Sequence, residues 1–190
     1  MANLHTARLA LRPLCPDDFE AVCALASDAR VMATLGGVRS PDQVRAWLDG
    51  ELRQLSVHGY CRNVVTRTRG GAAELERGPC ELVGLVGLAR ADFDAGLVPG
   101  IEIAWQLAYE HWGQGLATEA AQCVIDDAFE TRGLAEVIAI TSASNQRSRR
   151  VMERLGMRHS AHDSFEHPRL AAGNPLRSHV VYRLSRLQLV

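Results

Sequence analysis

Four groups of residues in the second half of the chain could do chemistry together. Gly113-Gln114-Gly115 opens an amphipathic helix. The free N–H groups of a helix start, reached through a glycine turn, make a cradle of phosphate size. Glycine there lets a ligand approach the backbone where a side chain would otherwise stand, although the same pair is equally a tight turn with no ligand. One strand later come Asn145 and Ser148, which are either ordinary cap and first-turn residues or polar groups carried to a ligand. Arg147, Arg149, Arg150 and Arg154 follow, as a solvated helix face or as positive charge offered to a phosphorylated molecule. Glu102 sits between Ile101 and Ile103 on a strand, so alternation puts it on one face with Ala104 and Gln106. It faces either solvent or a cleft, where partial burial would raise its pKa and suit it to general-base work.

Competing motifs fit less well. A dinucleotide fingerprint needs a glycine or alanine where Thr118 stands, and the preceding strand ends several residues before Gly113. There is no GK[ST] for a P-loop. The five cysteines (Cys15, Cys23, Cys61, Cys80, Cys123) are scattered, without a CxxC pair or a histidine-acid partner at a recognised spacing. That argues for reduced thiols in a cytosol and against disulfides, a zinc site or a covalent acyl-enzyme. No HExxH or similar cluster suggests a metal. His111, beside the glycine turn, is expected to shape it.

The elements that must position these groups can be read from period. Ala7–Leu14 alternates as a half-buried strand closed by prolines. Phe19, Val22, Leu25 and Ala26 mark a helix, with Asp17 or Asp18 as its cap. Ser40 and Gln43 form a capping box before a helix with the stripe Val44, Trp47, Leu48, Leu52 and Leu55. Strands are expected at Tyr60–Arg69 and Glu81–Arg90, joined by a loop at Gly70–Pro79. Gly84 and Gly87 inside the second need a reason, such as a bulge or a close backbone contact. After a turn-rich connection (Asp92–Gly100) come the strand Ile101–Leu107 and a helix with the face Leu116, Ala120, Val124 and Ala128, ended by Gly133. A strand apolar on both faces apart from Glu136, Leu134–Thr141, suits the interior of a parallel pair. A short helix to Gly156, a loop at Phe165–Asn174 and a last strand, His179–Leu184, complete the chain. The fold class is α/β (mixed α+β) with one mixed sheet.

At 190 residues, 47% of them apolar, one domain spanning 1–190 with an ordinary core is expected. A formal charge of -1 gives no support for nucleic acid or an anionic membrane as partner. The first residues lack a signal-like apolar region and no run is long enough to cross a bilayer, so a cytoplasmic location is expected.

IEIAW, then HWGQGLATEA, then NQRSRRVMERLGM resembles the acetyl-CoA-binding core of the GCN5-related N-acetyltransferase (GNAT) superfamily. The branch of the ribosomal-protein N-terminal acetyltransferases is the more specific likeness, supported by TARLALRPL and HPRLAAGNPLRSHVVYRL. The resemblance implies a twisted mixed sheet whose central strands splay apart, with a cofactor core at about 81–158. Acceptor-side elements would lie at 16–69 and 159–184. It also implies that Trp112, Gly113, Gln114, Gly115, Leu116, Ala117 and Thr118 wrap the pyrophosphate of acetyl-CoA, the cosubstrate. Asn145 and Arg150 would contact the cofactor, Ser148 would sit near the thioester sulfur, and backbone N–H groups near Leu107 and Ala108 would meet the developing oxyanion. Glu102 falls where this branch carries a candidate base. Met32, Tyr60, Phe165 and His167 are the implied acceptor contacts. Two departures stand out. Glu110 occupies a position where relatives place Gln or Arg, and Met152 replaces a tyrosine acid, so Ser148 is left to steady the sulfur.

Direct transfer follows: a neutral amine attacks the thioester carbonyl and expels the thiolate. An α-amine with a pKa of about 8 asks less of a base than a lysine at about 10.4. The acceptor is either a protein N-terminus or a small molecule such as an antibiotic, polyamine or amino-acid derivative. A CoA-binding module without turnover is the alternative of another class. Either a monomer or a homodimer is compatible.

Overall fold

Gly87 and Gly84 explain how the sheet is packed. A Cβ on Gly87 would stand 2.5 Å from the Cys61 carbonyl and 2.6 Å from Arg62 Cα, and one on Gly84 would stand 2.4 Å from the Gln106 carbonyl. Their strand is therefore pressed against backbone on both sides, and the pairing on the Gly84 side of the neighbouring strand is irregular at Val65/Thr66. Both expectations, close contact and bulge, are met by these two glycines.

The computed structural model describes residues 3–68, 82–91 and 100–188. The loop expected at Gly70–Pro79, Cys80, the first residue of the strand expected at Glu81, and the connection from Asp92 lie outside the described residues, apart from Gly100. In chain order the elements are β1 (Leu4–His5), β2 (Leu9–Pro13), α1 (Phe19–Ser27), α2 (Ala29–Met32), α3 (Pro41–His58), β3 (Arg62–Arg67), β4 (Leu82–Arg90) and β5 (Ile101–Leu107). Then follow α4 (Leu116–Asp126, prolonged by a wider turn at Asp127–Thr131), β6 (Glu136–Ser142), α5 (Gln146–Arg154), β7 (Arg158–His159), β8 (Phe165–Glu166) and β9 (Ser178–Ser185). Among the described residues these strands form one mixed sheet in the order β1-β2-β3-β4-β5-β6-β9-β7, with β8 on β9. All pairs are antiparallel except β5 with β6. The short strands β1, β7 and β8 were not anticipated, because two residues carry no period.

α1, α2 and α3 cover one face, packing Val22, Leu25, Met32, Val44 and Leu48 on Val64 and Leu85. α4 and α5 cover the other with Leu116, Ala120, Val124, Phe129, Met152 and Leu155 on Ile103, Val137 and Tyr182. The capping box of α3 forms as expected: Gln43 N–H donates to Ser40 Oγ at 3.3 Å and Ser40 N–H to Gln43 Oε1 at 2.8 Å. The expected cap of α1 does not form. Arg12 holds both Asp18 oxygens, at 2.8 and 2.5 Å, and one of them also accepts the Cys15 N–H at 2.8 Å. A charge-assisted bidentate pair outcompetes a neutral cap, so Asp18 secures the turn before the helix.

The decisive feature is the gap between β5 and β6. These seven-residue strands share a single register pair, Glu102 with Ile138. Beyond it they part, leaving the β6-facing backbone edge of β5 outside the ladder.

Candidate active site

A cavity of about 510 Å³ occupies that gap. Alternation along β5 lets it open on both faces of the sheet. Ile103 and Leu107 belong to the core under α4 and α5. Gln106 pairs across the sheet with Leu85, a residue of the core under α1–α3, and its amide donates to Met32 Sδ at 3.2 Å. Glu102 and Ala104 share that second face.

On the first face lies the glycine turn. Gly113 and Gly115 have φ of 75° and 77°, a left-handed conformation that glycine adopts without penalty. No side chain caps α4, so the N–H groups of Leu116, Ala117 and Thr118 have no intrahelical acceptor. Among the described residues a Cβ at Gly113 would meet nothing within 4 Å, and the buried Thr118 Oγ1 has no hydrogen-bond partner. Open donors, an orphaned hydroxyl and vacant space beside the backbone fit a pyrophosphate. Arg147, Arg150 and Arg154, spaced to share a face of α5, line the same cavity. Arg147 also lies 4.9 Å from the centroid of the Trp112 ring, whose Nε1–H donates to the Leu107 carbonyl at 2.9 Å. Arg149 turns the other way, donating to Tyr182 Oη and the Ala143 carbonyl at 3.2 Å each.

Gln114 works beneath the turn and does not line the cavity. Its amide donates to the Glu110 carbonyl at 2.8 Å, its Oε1 accepts from Arg67, and its own carbonyl accepts from Arg8 at 3.1 Å. Arg8 is in turn paired with Glu119 at 2.5 Å. Burial pushes the Glu119 carboxyl up, but the hydrogen bonds from Thr6 and Arg8 outweigh it and hold the pKa below the ordinary value. Glu110 is exposed and outside the cavity lining.

Asn145 links the two walls. Its Oδ1 accepts Ser148 N–H at 3.2 Å as the cap of α5, while Nδ2 donates to Thr34 Oγ1 at 3.1 Å and Thr141 Oγ1 at 3.0 Å. Both amide hydrogens are thus engaged, and one lone pair of Oδ1 is left for a ligand donor. Ser148 and the buried Met152 face the cavity from the same helix.

On the second face stands Glu102, half-buried and, among the described residues, without a hydrogen bond or ion pair. Burial raises its pKa above the ordinary carboxylate value, Arg62 opposes the rise and Glu51 reinforces it.

Glu102, Ser148, Leu107, Trp112, Gly113, Gly115, Leu116, Ala117, Thr118, Asn145 and Arg150 therefore share one cavity. Other residues singled out from the sequence sit elsewhere. The Ala108 N–H donates to the Val83 carbonyl at 3.0 Å, which removes it as an oxyanion donor. Met32 is buried in the core under α1–α3, Tyr60 is buried in the core beside His58, and Phe165 and His167 stack near β8 and β9. Arg30, Arg39, Trp47, Arg62 and Gln106 line the cavity without having been anticipated. The acceptor-side span expected at 16–69 contains Arg30, Arg39, Trp47 and Arg62 without singling any of them out as a site residue.

Splayed strands with an uncapped helix start on one face and an unpaired carboxylate on the other define an acyltransferase architecture. Residues 8–158 match the family described as "Acetyltransferase (GNAT) domain", and the chain belongs to that family. It is an acetyl-CoA-dependent N-acetyltransferase. A relative from Aspergillus fumigatus, FsC-acetyl coenzyme A-N(2)-transacetylase, is 32% identical over 83% of this chain and 65% of its own. The uncharacterized protein YkkB of Bacillus subtilis is 29% identical over 83% of this chain and 86% of its own. The crystal structure of an acetyltransferase from Agrobacterium tumefaciens is similar with a TM-score of 0.75 and 27% identity, covering 98% of this chain and 95% of that one.

Proposed function

We propose that the chain acetylates a primary amine entering from the α2–α3 face, with Glu102 as the base. The observation that carries this reading is the unpaired, half-buried Glu102 carboxylate. It stands where β5 and β6 separate, on the face opposite the glycine turn. Acetyl-CoA supplies the activated acetyl thioester. Leu116, Ala117 and Thr118 hold its pyrophosphate with backbone N–H groups, and the α5 arginines add charge. Glu102 accepts the proton of the incoming ammonium, directly or through water. Ser148 steadies the departing sulfur, since Met152 has no proton to give.

The α-amine of a polypeptide is the acceptor that asks least of such a base. This agrees with the likeness to the ribosomal-protein branch. The second reading, a small-molecule amine, is favoured by the Aspergillus relative, whose name makes FsC its substrate. Rates with peptides and small amines, read by free thiol, test both. The 21 basic residues of the chain are all arginine, so no ε-amine of its own competes as acceptor. Glu102→Gln is expected to lower kcat by about 10²–10⁴-fold and to remove the ascending limb of the pH-rate profile, which wild type shows above the ordinary carboxylate range. An unchanged rate and profile would sink the assignment. CoA binding without turnover on any amine would leave a binding module.

A further inference from the structure

The acceptor end of the cavity carries a cation, Arg39, that no carboxylate contacts among the described residues; Glu51 acts on it only at longer range. Arg39 is half-buried there and touches the Trp47 ring, 6.0 Å from its centroid. Among the described residues its guanidinium has no hydrogen bond or ion pair. Arg62, 5.7 Å from the same ring centroid, is already neutralised: Glu51, buried in α3, takes both its guanidinium and its backbone N–H. The two arginines are therefore unequal, and only Arg39 has its charge unspent.

Space for a ligand is present beside it. Arg62 and Ala104 line the same cavity as Arg39 and Glu102. A second, shallower cavity of about 270 Å³ under the Gly36-Gly37 loop shares Leu35, Arg39 and Trp47 with the first. Arg39 thus stands where the two meet, on the approach to Glu102. A partly desolvated guanidinium is best satisfied by a planar anion that it can grip with two hydrogen bonds.

We propose that the acceptor is an amine that also carries a carboxylate, the carboxylate bound by Arg39 against Trp47 while the amine meets Glu102. One cation and one carboxylate then divide the two ends of a zwitterion between them. An amino acid and an acidic peptide N-terminus both present this chemistry. Cationic polyamines would be repelled by Arg39. The inference rests on the acceptor site proposed above, deepening it to a substrate class.

The test uses pairs of primary amines that differ only by a carboxylate against a carboxamide. They comprise α-amino acids, ω-amino acids, and short peptides with Asp or Asn after the N-terminal residue. Spermidine serves as the cationic control. kcat/KM is measured by free-thiol release for wild type, Arg39→Ala and Arg39→Gln. Wild type should prefer the carboxylate members by about tenfold to a hundredfold, as expected for a charge-assisted pair. Both variants should lose that preference, through a fall in kcat/KM for the carboxylate members. Equal rates within pairs, a preference that survives both variants, or spermidine as the best acceptor would overturn the proposal. Which pairs respond distinguishes a free amino acid from a peptide. Should no amine turn over, the reading as a catalyst fails, and Glu102 as base with it, while binding still tests Arg39. Isothermal titration of the same pairs with CoA present then reads Arg39 directly. Carboxylate binding at least about tenfold tighter, and lost in both variants, sustains the proposal; equal or absent binding overturns it.

Discussion

Replacing Asn145 separates its work in the fold from its work toward a ligand. Asn145→Ala deletes the cap of α5, costing about 1 kcal/mol. It also deletes the hydrogen bonds to Thr34 and Thr141, at roughly 0.5–1.5 kcal/mol each. Together these come to about 2–4 kcal/mol. In a chain of this size each kcal/mol moves Tm by about 2–4 °C, so a fall of roughly 4–16 °C is expected. Asn145→Asp is the informative partner. Its carboxylate still caps α5 and suits the positive end of the helix. The Thr34 and Thr141 hydroxyls can rotate to donate where they now accept, so stability should stay within about 1 kcal/mol of wild type. Its negative charge in the cavity should nevertheless raise KM for acetyl-CoA. Differential scanning fluorimetry and initial rates give both readouts. An unchanged Tm for Asn145→Ala, or an equal fall for Asn145→Asp, would refute the reasoning.

Three further outcomes follow from packing and charge. Gly87→Ala pushes a methyl group into backbone at 2.5 and 2.6 Å and should lower the unfolding free energy by about 1–3 kcal/mol in urea titrations. Thr118→Val removes a buried hydroxyl without a partner. Without ligand the variant should melt higher, since such an orphan costs about 1–3 kcal/mol, and acetyl-CoA should stabilise it less than it does wild type. Glu119→Gln tests the Arg8 network through pH. The folded carboxyl titrates below the ordinary value, so its contribution is present at neutral pH and is lost as pH falls through that depressed pKa. Wild type should exceed the variant in Tm at pH 7, and the gap should close in acid.

The glycine turn, the α4 face and the α3 capping box were legible in the sequence because each depends on residues within a few positions of one another. So was the strangeness of Gly84 and Gly87, although their cause, strand backbone on either side, becomes visible only once β3, β4 and β5 are paired. Alternation correctly placed Glu102 with Ala104 and Gln106. It could not say that this face meets a gap, because the parting of β5 and β6 after one pair leaves no mark on either apolar strand. Ala108 failed as an oxyanion donor for a related reason: its N–H is claimed by Val83, a residue of β4 that spacing along β5 cannot reveal. Tyr60 illustrates the opposite error: the resemblance implied an acceptor contact, while its ring is core. Arg39, Trp47 and Arg62 come from a loop, a helix and a strand. No local pattern joins them, and Glu51 alone decides that Arg62 is silent and Arg39 is not. Cofactor chemistry therefore shows in short motifs, because one helix start and its turn build most of the proposed phosphate site. Acceptor choice is written in the pairing of distant charges, and it becomes readable only when folding shows which guanidinium already has a carboxylate.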